Sequence, residues 1–160
     1  MYNLNGKIEK VYAEATMHLK EDWFSSSSTE WYDHVMSLQE RVRDTYLIVI
    51  LHNQVFNGGF HQYFINRYGQ FAYETIEALK RIRAFKKAKL LSLALKVVNP
   101  TETSRNEFRI KIWNRTLETI FDSDASMEPL DNLDEQYYEL EDDENIGALL
   151  DDYLTNGPKP

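Results

Sequence analysis

The chain has 160 residues, no cysteine and a formal net charge of −8. That length suits one domain with a core of its own, and 42% hydrophobic with 13% aromatic residues exclude a wholly disordered chain. No disulfide framework can form, residues 1–20 carry charges in place of an apolar secretory segment, and the longest apolar run, Tyr46 to Leu51, is far short of the ~20 residues of a membrane span. The expected location is the cytoplasm.

Apolar spacing is helical nearly throughout. Ile8, Val11, Tyr12 and Ala15 form a first amphipathic stripe. Ser25 to Ser28 read as a solvated loop, and Ser27 with Glu30 has the spacing of a capping box that opens the next helix. That helix carries Trp31, Val35, Leu38 and Val42 and becomes apolar all round at Leu47 to Leu51, the pattern of a buried helix. A short strand over Tyr46 to Leu51 is the alternative, because the run is β-branched. The phase that continues to Phe56 favours the helix. Gly58-Gly59 is expected to end it.

Helices are then predicted around Ala72, Ile76, Leu79 and Ile82, and around Ala88, Leu91, Leu95 and Val98, the second stopped at Asn99-Pro100. Ser104 and Glu107 repeat the capping-box spacing ahead of Ile110, Trp113, Leu117 and Ile120. Leu130, Leu133, Tyr137 and Leu140 mark a further helix. Ile146, Leu149, Leu150 and Tyr153 mark the last, ended by Gly157-Pro158. The expected fold is an all-α bundle of six to eight helices in a single domain over 1–160. Its parts are an N-terminal helix within 1–24, the serine loop at 25–28 and a core over 29–156.

Chemistry-bearing patterns are few. Asn57-Gly58-Gly59-Phe60-His61-Gln62-Tyr63-Phe64 is the most distinctive stretch. Its glycine pair permits a sharp turn, its aromatics plug a core, and Asn57, His61, Gln62 and Tyr63 offer polar groups for a small pocket. A structural hinge whose polar groups satisfy buried backbone is the plainer reading. The four histidines have no metal-ligand spacing, and neither a serine elbow nor a phosphate loop occurs. No catalytic residue, metal or cofactor is expected, and the chain reads as a non-enzyme.

Charge is divided unevenly. Residues 1–115 hold 17 Lys/Arg against 12 Asp/Glu, whereas residues 116–160 hold 14 Asp/Glu and one Lys. The basic run Lys80, Arg81, Arg83, Lys86, Lys87, Lys89 and Lys96 reads as a solvated face, and the overall charge argues against direct nucleic-acid binding. The acidic region has two readings: it pairs with that basic run, or it binds a basic protein. The carboxylates that would serve the second reading are Asp122, Asp124, Asp131, Asp134, Glu135, Glu139, Asp142, Asp143, Asp151 and Asp152. A helical stripe presents one carboxylate per turn, about every 5.4 Å. Each DNA strand presents a phosphate per ~3.4 Å of helix axis, so one helix under-fills the pattern. Loop carboxylates or a second subunit of a homodimer would complete it.

The stretch from Leu51 to Asn66, with the Asn-Gly-Gly-Phe-x-Gln-Tyr-Phe core, resembles the signature of a bacterial family, domain of unknown function 4375, associated with a DNA mimic protein. Residues 73–79 and 130–138 fit the same pattern, so the resemblance spans roughly 35–155 and omits the first helix and the serine loop. It implies an all-α fold. It also implies an acidic protein that occupies the DNA-binding surface of a transcriptional regulator. The competing expectation is a small-ligand or enzymatic pocket at Asn57 to Tyr63.

Overall fold

The computed structural model describes residues 5–25 and 29–158. They form eight helices of two turns or more and one single-turn helix, with no strand among the described residues. The order is α1 (Gly6–Thr16), α2 (Glu30–Ser37), α3 (Glu40–Ile65), α4 (Ala72–Arg81), α5 (Phe85–Val98), α6 (Arg105–Trp113), α7 (Glu118–Phe121), α8 (Met127–Glu139) and α9 (Ile146–Asn156). Two 3-10 turns, Glu21–Phe24 and Tyr68–Phe71, lie between them. The all-α bundle read from the periodicity is the observed fold. Ser26 to Ser28, and with them the Ser27–Glu30 capping box, lie outside the described residues.

The long α3 is the axis of the molecule. Every residue from Asp44 to His52 is buried, which requires neighbours on all sides. It packs against α1, α4, α8 and α9, while α5 bridges α4 and α8. The β-branched run at 46–51 is therefore helix, because burial on every face overrides weak intrinsic preference. Trp31 of α2 is buried among Phe24, Tyr68, Phe71 and Trp113, and its indole N–H donates to the Tyr46 hydroxyl at 2.9 Å.

Three expected boundaries move. Trp31 to Val42 is not one helix, because Leu38 is extended (ψ 152°) and separates α2 from α3. Ile110 to Ile120 is interrupted, because α6 ends at Trp113, Arg115 takes a positive φ of 57°, and the new turn α7 begins only at Glu118. Gly58-Gly59 does not end α3. It breaks the helix and lets it resume to Ile65, with Gly58 at φ −167° and Gly59 at φ 73°, ψ −178°. Of the Ser104–Glu107 capping box one half is seen, the Ser104 hydroxyl accepting from the Glu107 amide at 3.2 Å, while the Glu107 carboxylate pairs with Lys111 at 3.0 Å. Gly157, at φ 78°, closes α9.

Two charged side chains are drawn fully inward. Asp44 is fully buried and accepts from Arg81 Nε and Nη2 at 2.6 and 2.7 Å and from the Tyr153 hydroxyl at 2.9 Å, joining α3, α4 and α9. Lys87 is also fully buried. It pairs with Glu141 and stands 4.4 Å above the Tyr137 ring. The expectation that the whole 80–96 run is a solvated face fails at Lys87. It lies three and four residues before Leu90 and Leu91, on the core phase of α5.

Candidate functional site

The break in α3 explains why the Asn57–Phe64 stretch is so distinctive. Interrupting a helix exposes amides on one side and carbonyls on the other. Both are met by α8. Asp134 Oδ1 accepts from the Phe60 amide at 2.7 Å, acting as an N-cap supplied from another helix. The Tyr138 hydroxyl donates to the Val55 carbonyl at 2.8 Å, one turn before the break. Tyr137 packs edge-on to Phe60 and sits beside His52. A β-carbon at Gly59 would collide with the Asp134 carboxylate, so the close approach of α8 requires glycine there. The 57–64 and 130–138 stretches are thus the two sides of one joint.

Three polar residues of the motif, Asn57, Gln62 and Tyr63, are engaged by the fold itself. Asn57 Nδ2 donates to Gln62 Oε1 at 3.0 Å, and Gln62 Nε2 donates to Gln54 Oε1 at 3.0 Å. The Tyr63 hydroxyl lies 3.3 Å from Thr75 Oγ1. Phe60 and Tyr63 are buried, His61 and Gln62 half-buried, and Asn57 exposed. A β-carbon at Gly58 would meet the Gln62 side chain, which would have to shift to make room.

Asp134 was expected on the acidic face and is instead buried beneath it, only 7% exposed. The signal is present in the sequence. Asp134 stands four residues after Leu130 and three before Tyr137, on the inward phase of α8. Burial raises its carboxyl from 3.8 to about 6, against the Phe60 hydrogen bond, which lowers it. Between those two pH values the folded protein holds a proton that the unfolded chain has released. This group's contribution to stability is therefore fully present below pH 3.8 and is lost as pH rises through about 6. His52 works in the opposite sense. Burial, helped by Lys87, lowers it from 6.5 to about 3, so its contribution is full above 6.5 and falls on acidification. Asp134→Asn keeps an oxygen for the Phe60 amide and removes the titration. Expected in melting curves across pH are a variant at least as stable as the parent at neutral pH and a steeper loss on acidification. Parallel curves would refute the assignment.

The other acidic residues divide into two groups. Asp143 forms an ion pair with Lys86 at 2.6 Å, which holds its carboxyl below the usual range. The neighbouring Glu144 accepts from the Lys86 and Lys87 amides at 2.8 and 2.9 Å, capping the start of α5. Asp151 accepts from Asn5 at 2.8 Å and lies 3.1 Å from Lys7, tying α9 to α1. Asp152 accepts from Asn156 at 2.7 Å. These residues serve the fold's own cohesion, and the basic run is partly consumed by them.

What remains faces outward. Glu128, Asp131, Glu135, Glu139 and Asp142 are all exposed and follow one another at steps of three or four residues. That spacing keeps them on a single side of α8 and its continuation. The ion pairs among the described residues leave these five out. From Glu128 to Glu139 the row runs about 16 Å at ~1.5 Å per residue. Asp122 and Asp124, also exposed, precede α8 on the loop after α7. Exposed Phe56 and Tyr138, their rings 4.9 Å apart, lie on the two elements that the joint brings together.

An all-α domain with a row of outward carboxylates on one helix, anchored by an inward carboxylate on the same helix, is the arrangement that the residues build. The chain belongs to the DMP19-like protein family, whose family model matches residues 36–156. The match spans the α3 break and α8 together, so the joint lies wholly within it. No curated protein and no solved structure matches the chain.

Proposed function

We propose that the protein is a non-enzymatic interaction module, a DNA mimic that offers the acidic row of α8 to the DNA-binding surface of a basic protein such as a transcriptional regulator. The observation that carries the reading is the exposed sequence of Glu128, Asp131, Glu135, Glu139 and Asp142, left without intramolecular cations although Lys86 and Lys87 stand on the adjacent α5. Like charges one turn apart cost about 0.2–0.5 kcal/mol per pair, so an uncompensated row is a stability cost that binding to cations would relieve. Membership of the DMP19-like family, a family of DNA mimics, supports the same reading. Asp122 and Asp124 extend the row along the preceding loop, and a second copy of the chain in a homodimer would supply the rest of a duplex-like pattern.

Association of this kind is steered by charge and screened by salt. In an affinity capture from host lysate at low salt, a DNA-binding protein is expected to elute at moderate salt and to be displaced by duplex DNA. The triple variant Asp131→Asn, Glu135→Gln, Glu139→Gln is expected to retain the fold and to lose that capture, with an association rate lower by about tenfold or more. Capture of the same protein at unchanged salt by the neutralised variant would overturn the proposal.

A further inference from the structure

A second site lies away from α8, between α2, the Tyr68–Phe71 turn, α4 and α6. A cavity of about 220 Å3 is lined there by Tyr32, Gln70, Tyr73, Glu74, Arg105 and Arg109, together with Asn106. Its polar groups are only half used. The Tyr32 hydroxyl donates to Glu74 Oε1 at 2.9 Å. Burial, and Glu74 itself, push that hydroxyl up to about 12, so it stays a donor at neutral pH. Glu74 Oε2 and Gln70 Nε2 are buried and have no hydrogen-bond partner, and Gln70 as a residue is only 3% exposed. The Arg105 guanidinium lies 4.8 Å from the Tyr73 ring centre, and that of Arg109 lies 4.5 Å from the Tyr32 ring centre. Arg109 also donates to Asn106 at 2.9 Å. Neither arginine belongs to an ion pair among the described residues.

Buried polar atoms ordinarily find partners, and leaving one without a partner is destabilising. Here the orphans are of both kinds. One is an amide donor that needs an oxygen, and one is a carboxylate oxygen that needs an N–H. Two guanidiniums stacked on aromatic rings stand beside them, and a stacked guanidinium keeps its in-plane N–H groups available for a carboxylate. The excess of two cationic side chains over one anionic calls for a ligand with more negative than positive charge. The volume is that of roughly seven waters at ~30 Å3 each, which suits a compact ligand of comparable atom count.

We infer that this cavity binds a small amino acid of the acidic class, its carboxylates met by Arg105, Arg109 and the Gln70 amide and its ammonium by Glu74 Oε2. The inference is independent of the acidic row, which stands on a different helix. Tyr73 and Glu74 open the 73–79 stretch that the joint between α3 and α8 leaves unexplained, and a ligand gives that stretch its role.

The test is calorimetric titration of the whole chain with L-glutamate and L-aspartate, beside succinate, which lacks the amine, and a simple alkylamine, which lacks the carboxylates. Saturable one-to-one binding of an amino acid is expected, tighter than either half-ligand by at least about tenfold. Arg105→Gln, at an exposed position, is expected to retain the melting temperature and lose that binding. Gln70→Leu removes a buried orphan donor, so it is expected to melt no lower than the parent and to lose binding as well. Absence of heat with all four compounds at millimolar concentration would overturn the inference and leave a water-filled cavity. Binding left unchanged by Arg105→Gln would overturn it equally.

Discussion

Gly59→Ala is expected to remove about 2–6 kcal/mol of stability, from two sources that can be separated. The first is the backbone. At φ 73° and ψ −178° Gly59 occupies a region that only glycine enters freely, and forcing a side chain there costs about 1–3 kcal/mol. The second is Asp134. The new methyl group collides with its carboxylate and displaces it from the Phe60 amide, and a buried amide without a partner costs about 1–3 kcal/mol more. A domain holds only about 5–15 kcal/mol in total, so the loss would consume much of it. Denaturant unfolding of Gly59→Ala, Asp134→Ala and the double variant separates the terms. In the Asp134→Ala background the glycine replacement should cost only its backbone part. Strict additivity of the two single losses would show that the two residues do not share the joint described here.

Arg81→Met is expected to cost about 3–5 kcal/mol, the amount usual when a buried ion pair loses one partner. It should cost more than Asp44→Asn. The asymmetry follows from exposure: the Arg81 side chain is 29% exposed and Asp44 0%. Without Asp44, the guanidinium still reaches solvent. Without Arg81, the carboxylate keeps only the Tyr153 hydroxyl, far too little to compensate a buried charge. Because Asp44 joins α3, α4 and α9, the loss should appear as a cooperative fall in melting temperature and not as fraying of one end. Equal losses for the two variants would contradict the picture of a carboxylate trapped in the core.

These two effects place the energetic centre of the protein under its surface, where charged and conformationally special residues are fixed by packing. The acidic row draws on the same source. Asp134 holds α8 against the break in α3, and the exposed carboxylates stand on the solvent side of the same helix. A change at the joint would therefore be felt at the row without altering any carboxylate in it.

The sequence by itself determined the class of fold and most of the helices. Periodicity of apolar residues is a local property with a strong signal, and the all-round apolar run at 46–51 announced the buried axis. It determined the charge division too, because counting needs no geometry. The direction of each charge was left to the tertiary structure. Asp134 and Glu135 are neighbours in the chain, yet the first caps the Phe60 amide and the second faces solvent. Lys86 pairs at the surface while Lys87 is fully buried. On a helix, successive residues point about 100° apart, so a one-residue difference in phase decides between core and solvent. The phase at 134 and 87 was inward in the sequence, and the expectation that charge stays outside concealed it. The break at Gly58-Gly59 was read correctly as a place where the backbone departs from the helix. Whether the helix ended or resumed depended on a capping carboxylate 74 residues away in the chain. No local pattern contains that partner, because only the folded chain brings it within hydrogen-bonding distance.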